Sequence, residues 1–364
     1  MSTLHKIALT FIKSIGPVNA KNLLAYCGSA EAIFSATKNQ LLQIPGIGEK
    51  TVDAILNTDA LKRAEEELKF IEKHGIEVLF FSDENYPKRL KNCFDSPILL
   101  YFKGKADLNH PRIISIVGTR NATEYGKILC KQLCEVLAPY NVLIISGLAY
   151  GIDVTTHKEC IANDIPTVGV LGHGLDRLYP QIHKPVSRKM VLNGGLLTDF
   201  PTLTNPDRQN FPQRNRIIAG IADATIVVEA SIKGGALITA EIANSYNKDV
   251  YAFPGRTNDV FSEGCNFLIK TNRAALINTA NDLIYYLGWD DKVKEKKKQA
   301  QTTLQLNLTA NEQKVVDALY KGQLSIDELC ITLNIQQSKL AIVILTLEMQ
   351  GIIVSLPGKV YKLA

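Results

Sequence analysis

Short runs rich in β-branched residues recur between residues 112 and 255, and most of them end in glycine. The runs are RIISIVG, NVLIISG, IPTVGVLG, ATIVVEA and DVYAFPG. Segments of helical length, such as EYGKILCKQLCEVLA, lie between most of them. Strand, glycine-containing turn and helix in alternation are typical of a parallel sheet with crossover helices. We therefore expect an α/β core with a parallel sheet over residues 81–289.

The glycines of these runs mark one edge of the predicted sheet. Those at the carboxyl ends of the strands are Gly118, Gly147, Gly172, Gly174 and Gly255. In open α/β sheets, ligands bind at the edge formed by the carboxyl ends of the strands. Phosphate recognition is therefore expected at this edge.

Residues 1–80 are predicted to be a helical N-terminal domain. The segment IPGIGEKTVDAIL (44–56) places a Gly-x-Gly turn before a helix, and SIGPVNAKNLLAYCG (14–28) is a looser copy. Such a turn exposes backbone N–H groups at a helix N-terminus, where a phosphate can bind. Both segments resemble the helix-hairpin-helix motif of sequence-independent DNA binders. The alternative is a helical bundle whose hairpins only pack.

The C-terminal part divides into a linker and a small domain. Residues 290–305 are interpreted as a charged, solvated linker, because five lysines lie between Lys292 and Lys298. Residues 306–364 predict three helices and a hairpin turned by LPGK, with Thr309 and Glu312 forming a capping box. This pattern resembles a winged-helix domain. Its third helix is mostly apolar, which favours a structural or partner-binding role over duplex binding.

Composition limits the class of protein. The net charge of +5 permits an anionic partner without requiring one. The seven cysteines are dispersed, with no CxxC and no metal-ligand spacing, so we expect a reducing cytoplasm, no metal and no cofactor. No apolar run is long enough for a membrane span, and no GxxxxGK[ST] loop is present. We therefore predict no membrane association and no hydrolysis of the kind that uses such a loop.

Two strand-end turns supply candidate binding residues. In the first, Gly118 lets the backbone approach an anion, and Thr119 and Arg120 offer an N–H, a hydroxyl and a guanidinium. The second turn places Gly147 before a helix that contains Asp153 and His157. These two side chains are four residues apart, which permits an acid–base pair. A capping aspartate and a core or solvated histidine is the preferred interpretation.

A third segment, PDRQNFPQRNR, concentrates cations around an aromatic ring. Its candidate DNA-binding residues are Arg208, Asn210, Phe211, Arg214 and Arg216. The alternative for one of Arg214 and Arg216 is an ion pair with an acidic residue inside the fold. Lys233 follows, with Gly234 and Gly235 opening a helix as a second anion site. Several cationic sites at one sheet edge suit a ligand with many phosphates, and Phe211 would add a stacking platform.

Six motifs in a fixed order identify a family. They are YPKRLKNCFDSPILLYFKG, VGTRNATEYG, SGLAYGID, YPQIH, NFPQRNRIIAG and GGALITAEIA. In this order they resemble the DNA-processing protein A family (DprA, also called Smf), closely over residues 86–270 and more loosely beyond. The sequence departs from the family pattern at Lys233-Gly234, where a Ser-Gly pair is usual.

The resemblance implies a cytoplasmic bacterial protein with an extended Rossmann-like domain that binds single-stranded DNA. Members of the family form homodimers through this domain and protect incoming DNA. They also load the RecA recombinase onto it during natural transformation, and they are not known as enzymes. The DNA-contacting pocket of the family maps onto Gly118, Thr119, Arg120, Arg208 and Phe211. The 214–216 stretch and the glycine pair 234–235 lie nearby.

An enzyme is the alternative. Thr239 and Glu241 after the glycine pair resemble the GGxGTxxE turn of nucleoside-monophosphate phosphoribohydrolases, which have a related Rossmann-like fold. In that interpretation Glu241 assists glycosidic cleavage and Arg216 holds the phosphate. The segment GGALITAE lacks the glycine before threonine, so the match is partial.

Overall fold

The computed structural model describes residues 2–13, 15–289, 308–320, 322–356 and 359–363. Two compact units are present, Met1–Trp289 and Asp290–Ala364. The predicted linker, residues 290–305, lies outside the described residues.

The first unit begins with a group of helices. They are α1 Thr3–Phe11, α2 Pro17–Cys27, α3 Ala30–Ser35, α4 Lys38–Leu42, α5 Glu49–Leu56 and α6 Ala60–His74. Pro17 occupies the first turn of α2, and Gly48 directly precedes α5. Gly46 has a φ of 80°, a left-handed conformation that favours glycine, so the Gly-x-Gly segment forms the expected turn. Apolar side chains such as Leu23 and Leu41 form a common core with α1 and α6.

Within residues 15–289 a nine-stranded mixed sheet forms the centre of the unit. Its strands are β1 Glu77–Phe80, β2 Leu99–Gly104, β3 Ile113–Val117, β4 Leu143–Ser146, β5 Thr167–Val170, β6 Gly195–Thr198, β7 Ala224–Val227, β8 Asp249–Ala252 and β9 Ala275–Leu276. The order is β1-β2-β6-β5-β4-β3-β7-β8-β9. Pairs from β6 to β9 are parallel, whereas β1–β2 and β2–β6 are antiparallel. The expected parallel α/β core is confirmed, with two antiparallel strands added at one edge.

Helices cover both faces of this sheet. They are α7 Lys88–Lys91, α8 Glu124–Leu137, α9 Ile152–Ala162, α10 Lys184–Asn193, α11 Asn210–Ile221, α12 Gly235–Ser245, α13 Glu263–Lys270 and α14 Ala280–Tyr286. On β3, Ile114 and Ile116 belong to the core under α8, whereas Ile113 and Val117 belong to the core under α11 and α12. This alternation explains why the whole strand is buried and why all its residues except Ser115 are apolar.

The hairpin β1–β2 joins the N-terminal helices to the sheet. Successive side chains of a strand point to opposite faces. Phe80 and Leu99 pack with the N-terminal helices, while Leu79 and Leu100 pack with the main core. Residue 80, the expected domain boundary, therefore does not separate two compact units.

The second unit has the expected winged-helix elements. They are α15 Ala310–Leu319, β10 Leu324–Ser325, α16 Ile326–Leu333, α17 Gln337–Met349, β11 Ile353–Leu356 and β12 Val360–Leu363. The sheet order is β10-β12-β11, and all its pairs are antiparallel. The Thr309 N–H donates to Glu312 Oε2 over 2.7 Å, which confirms the capping box. Residues 357–358 of the predicted LPGK turn lie outside the described residues.

No single helix among the described residues has both the length and the apolar composition to cross a bilayer. The pair α16 and α17 meets the test only when both are taken together, and the two helices are bent by 113°.

Candidate functional site

A cleft of about 760 Å³ lies at the carboxyl ends of the central strands. Its lining residues are Val117, Gly118, Thr119, Arg120, Ala149, Asp153, Tyr179, Pro206, Arg208, Phe211, Pro212, Arg214, Asn215, Ile218, Ser231, Gly234, Gly235, Ala236, Ile238 and Thr239. The chain runs from β3 outward to one side, and then from β7 outward to the other. The cleft thus lies at the topological switch point, where open α/β sheets bind ligands.

The turn after β3 is fixed against two neighbouring segments. The Thr119 N–H donates to the Glu229 carbonyl over 2.7 Å, and its carbonyl accepts from the Ile152 N–H over 3.1 Å. A Cβ on Gly118 would lie 2.4 Å from Ile152 Cγ1, so the close approach of this turn to α9 requires glycine. Arg120 follows at the exposed end of the turn.

The buried carboxylate of Glu229 also contacts the turn after β3. It is 3% exposed, and its Oε2 accepts from the Thr123 N–H over 3.0 Å. The Thr123 hydroxyl donates to the other carboxylate oxygen and also accepts from the Gly126 N–H at the start of α8. These contacts hold the backbone around Arg120 in one position.

Helix α11 starts at Asn210, so the cationic segment PDRQNFPQRNR is helical from that residue onward. Each residue of a helix advances by about 100°, and positions two apart do not share a face. Phe211, Arg214 and Asn215 therefore lie on the side that lines the cleft, and Arg216 lies on another side.

Arg214 lies on the cleft floor and is not displayed to solvent. It is 4% exposed, and its Nη1 donates to the Val170 carbonyl over 2.7 Å. Gly147 makes room for it, since a Cβ there would lie 1.9 Å from Nη1. Burial lowers the pKa of Arg214 to about 10, and the nearby Asp153 carboxylate opposes that shift. Arg214 is thus a buried side chain that lines the cleft near Asp153. Burial raises the pKa of Asp153, and the Arg214 charge opposes that shift.

Arg216 and Asn210 also have internal roles. Arg216 Nη2 forms an ion pair with Asp199 Oδ2 over 2.7 Å, and its Nη1 donates to the Asp95 carbonyl over 2.7 Å. Asn210 is 6% exposed and donates to the Asn205 carbonyl over 2.9 Å. Neither residue lines the cleft. The structure therefore places Arg216 and Asn210 outside the cleft, in contacts within the fold.

An arginine and two aromatic rings form a row in the cleft. The Arg120 guanidinium carbon lies 5.4 Å from the centre of the Phe211 ring. The Tyr179 ring is 47% exposed and lies 6.0 Å from the Phe211 ring, at an interplanar angle of 38°. The backbone of Gly172 lies beside Phe211, and a Cβ on this glycine would be 3.1 Å from Phe211 Cδ1. Cation and rings thus present one continuous surface.

The predicted second anion site lies on the same cleft. Gly234 and Gly235 line it, and α12 begins at Gly235, where a Cβ would meet no atom within 4 Å. Arg208 also lines the cleft and is exposed. Lys233 is exposed beside the glycine pair but does not line the cleft.

Sequence reasoning missed several residues of the cleft. Asn215, Ser231 and Thr239 line it, but none of them was a candidate DNA-binding residue. Asp153 was interpreted as a helix cap. Only the helical spacing of Asn215 from Phe211 offered a signal, because four residues return to the same face.

His157 is a core histidine. It is fully buried and its Nδ1 lies 2.7 Å from Thr167 Oγ1. Thr167 donates its own hydroxyl proton to the Ile144 carbonyl, so Nδ1 of the histidine must carry the proton. Nε2 is buried without a hydrogen-bond partner. Burial lowers the pKa of His157 to about 3. Its hydrogen-bond partner is Thr167 and not Asp153.

This lowered pKa predicts acid sensitivity. The pKa of histidine in the unfolded chain is about 6.5. Below that pH the unfolded chain binds a proton that the folded state does not bind, so the unfolding free energy falls as pH drops from about 6.5 toward about 3. Between about pH 7 and about pH 5.5, His157 should account for about 1 kcal/mol of lost unfolding free energy. Urea unfolding followed through Trp289, the only tryptophan, would measure it. His157→Gln should reduce the pH difference by that amount, and an unchanged difference would contradict this assignment.

Family models match three segments of the chain. Residues 77–288 match the family described as DNA recombination-mediator protein A. Residues 6–62 match a SAM-like helix-hairpin-helix tandem, and residues 298–359 match the DprA winged-helix domain. Protein Smf of Synechocystis is 34% identical over 289 residues, which cover 78% of this chain and 72% of the relative.

Two solved structures resemble the fold. DNA processing protein A of Streptococcus pneumoniae aligns with a TM-score of 0.67 and 27% identity, covering 78% of this chain and 98% of that one. DNA processing protein A of Helicobacter pylori aligns with a TM-score of 0.54 and 29% identity, covering 59% and 96%. The latter structure was described for its single-stranded DNA binding mode.

Proposed function

Because the chain belongs to the DNA recombination-mediator protein A family, we propose that its cleft binds single-stranded DNA. The observation that carries this proposal is the row of Arg120, Phe211 and Tyr179 along the cleft. A guanidinium binds a phosphate with two hydrogen bonds, and an aromatic ring stacks on any unpaired base. Paired bases in the interior of a duplex keep their faces stacked and cannot stack on the rings, so the aromatic contacts favour a single strand, whereas the phosphate contact is open to both forms.

The floor of the cleft fits the same ligand. The glycines 234 and 235 open α12, whose first N–H groups can receive a second phosphate. Arg208 adds a cation at the rim. Several phosphate contacts along one groove make the affinity depend strongly on salt.

The proposal extends to partners expected from the family. We infer that the protein acts in the cytoplasm, forms homodimers through the Rossmann-like domain, and loads the RecA recombinase onto the bound strand. A partner-binding role for the winged-helix unit is supported by α17, which exposes Ile342, Leu345 and Met349 and has Lys339 as its single cation. Shortening of the lag before RecA-driven strand exchange on protein-coated single strands would test the loading step.

We further propose that the cleft has no catalytic activity. The enzyme alternative requires Glu241, whose carboxylate forms an ion pair with Arg273 and does not line the cleft. Its proposed phosphate ligand, Arg216, pairs with Asp199. Release of free base from nucleoside monophosphates, abolished by Glu241→Gln, would refute the binding-only function.

The direct test is a fluorescence-anisotropy titration with a labelled poly-dT strand and a matching duplex, each at low and moderate salt. Tighter binding of the single strand, weakening steeply with salt, is expected. Weak and equal binding of both forms would overturn the proposal.

A further inference from the structure

The loop between β6 and α11 carries part of the cleft. Residues 199–209 contain no helix or strand, yet Pro206 and Arg208 within them line the cleft, and Phe211 follows directly. A loop of this length needs tertiary contacts to hold side chains in place. The position of Arg208 therefore depends on what holds this loop.

Helix α6 of the N-terminal region holds the middle of the loop. Glu67 is 2% exposed, and its Oε1 accepts from the Thr202 N–H over 2.9 Å. Its Oε2 accepts from the Thr202 hydroxyl over 2.5 Å. Arg63, one turn earlier, donates from Nη2 to Glu67 Oε2 over 2.9 Å and to the Thr202 carbonyl over 3.0 Å. A buried charge and all three polar groups of Thr202 are thereby satisfied together.

A second cleft segment contacts the same helical region. Leu175, in the turn that leads to Tyr179, packs against the apolar core of the N-terminal helices. Gly174 beside it lies against the loop, since a Cβ there would be 2.4 Å from the Pro201 carbonyl oxygen. Arg177 also donates to the Asn205 side chain. The segments carrying Tyr179 and Arg208 thus share one support.

We propose that α6 is a positioning element of the strand-binding cleft, in which Glu67 holds the 199–209 loop in its binding-competent position. This inference rests on the proposed function of the cleft. The N-terminal helices then contribute to strand affinity without touching the DNA. When a binding-competent state is only partly populated, apparent affinity falls by that fraction. Any partner that displaces α6 would therefore weaken strand binding.

The test compares Glu67→Gln with Glu66→Gln in the full chain. Glu66 is the matched control, because it neighbours Glu67 on α6, its side chain is 62% exposed, and it is 4.0 Å from Arg63. Glu67→Gln removes the negative charge of the carboxylate that accepts hydrogen bonds from Thr202 and Arg63. We expect about fivefold weaker poly-dT binding, as for a state populated about one fifth of the time. Amide hydrogen exchange in residues 200–206 should be faster, with Glu66→Gln unchanged in both measurements.

A second variant approaches the contact from the loop. Thr202→Val removes the hydroxyl and keeps the side-chain shape, and it should produce the same two changes in smaller degree. It decides the matter if Glu67→Gln does not fold. The inference would be overturned if the wild type binds the strand and both Thr202→Val and Glu67→Gln keep its affinity and its amide exchange rates. The proposed function would then stay intact. Absence of strand binding by the wild type would instead overturn the proposed function.

Discussion

Replacing Arg214 with leucine is expected to lower the unfolding free energy of the first unit by about 3 to 5 kcal/mol. The substitution leaves Asp153 buried without its neighbouring cation, and leaves the Val170 carbonyl without the donor that now lies 2.7 Å away. Removal of one partner from a buried charge pair costs far more than the pair itself contributes, because the remaining charge stays desolvated. Urea unfolding followed through Trp289 would measure the loss.

The control for this prediction is the double variant Asp153→Asn/Arg214→Leu. Neutralising Asp153 removes the uncompensated charge, so the double variant should regain part of the stability lost in Arg214→Leu. A urea-unfolding midpoint of Arg214→Leu close to that of the wild type would show that the fold does not depend on Arg214, and would contradict this prediction.

Replacing Arg120 with alanine should weaken single-strand binding and leave the unfolding free energy unchanged. Arg120 is exposed at the end of a turn whose backbone is held by Thr119 and Glu229, so its side chain is not needed for the fold. Loss of a charge-assisted phosphate contact is expected to weaken poly-dT binding by about tenfold to a hundredfold. One fewer phosphate contact should also reduce the slope of log affinity against log salt by about 1.

Arg188→Ala is the matched control for Arg120→Ala. Arg188 is an exposed arginine on α10 and does not line the cleft, so its removal changes the net charge by the same amount. Its affinity and salt slope should stay near those of the wild type. An equal loss in both variants would show that only the overall positive charge matters.

The central strands were predictable because burial on both faces leaves a plain signature. β3 and β4 are buried runs rich in isoleucine, with one serine each, and they end at glycine turns. β6 escaped prediction, since its four residues GLLT follow a glycine and include no β-branched apolar side chain. β9 is a two-residue exposed strand with no room for a pattern. Such strands are set by pairing with neighbours that are distant in sequence.

The site was predictable where backbone geometry determines it, and not where distant charges meet. Gly118 and the glycine pair 234–235 mark tight turns at strand ends, and both lie on the cleft. The positions of the Arg214 and Arg216 side chains depend on Asp153 and Asp199, and no local sequence pattern connects these aspartates to the arginines. Arg214 and Arg216 are two positions apart on α11 and therefore point in different directions.

Photocrosslinking of a poly-dT strand containing 5-iodouracil, followed by mass spectrometry of the full-length protein, tests the central claim most directly. Iodouracil joins to aromatic side chains on which it stacks. The account predicts crosslinks at Phe211 and Tyr179, whose rings lie 6.0 Å apart in the cleft. Crosslinks confined to the N-terminal helices or the winged-helix unit, with none in residues 118–120, 179 or 208–211, would contradict it.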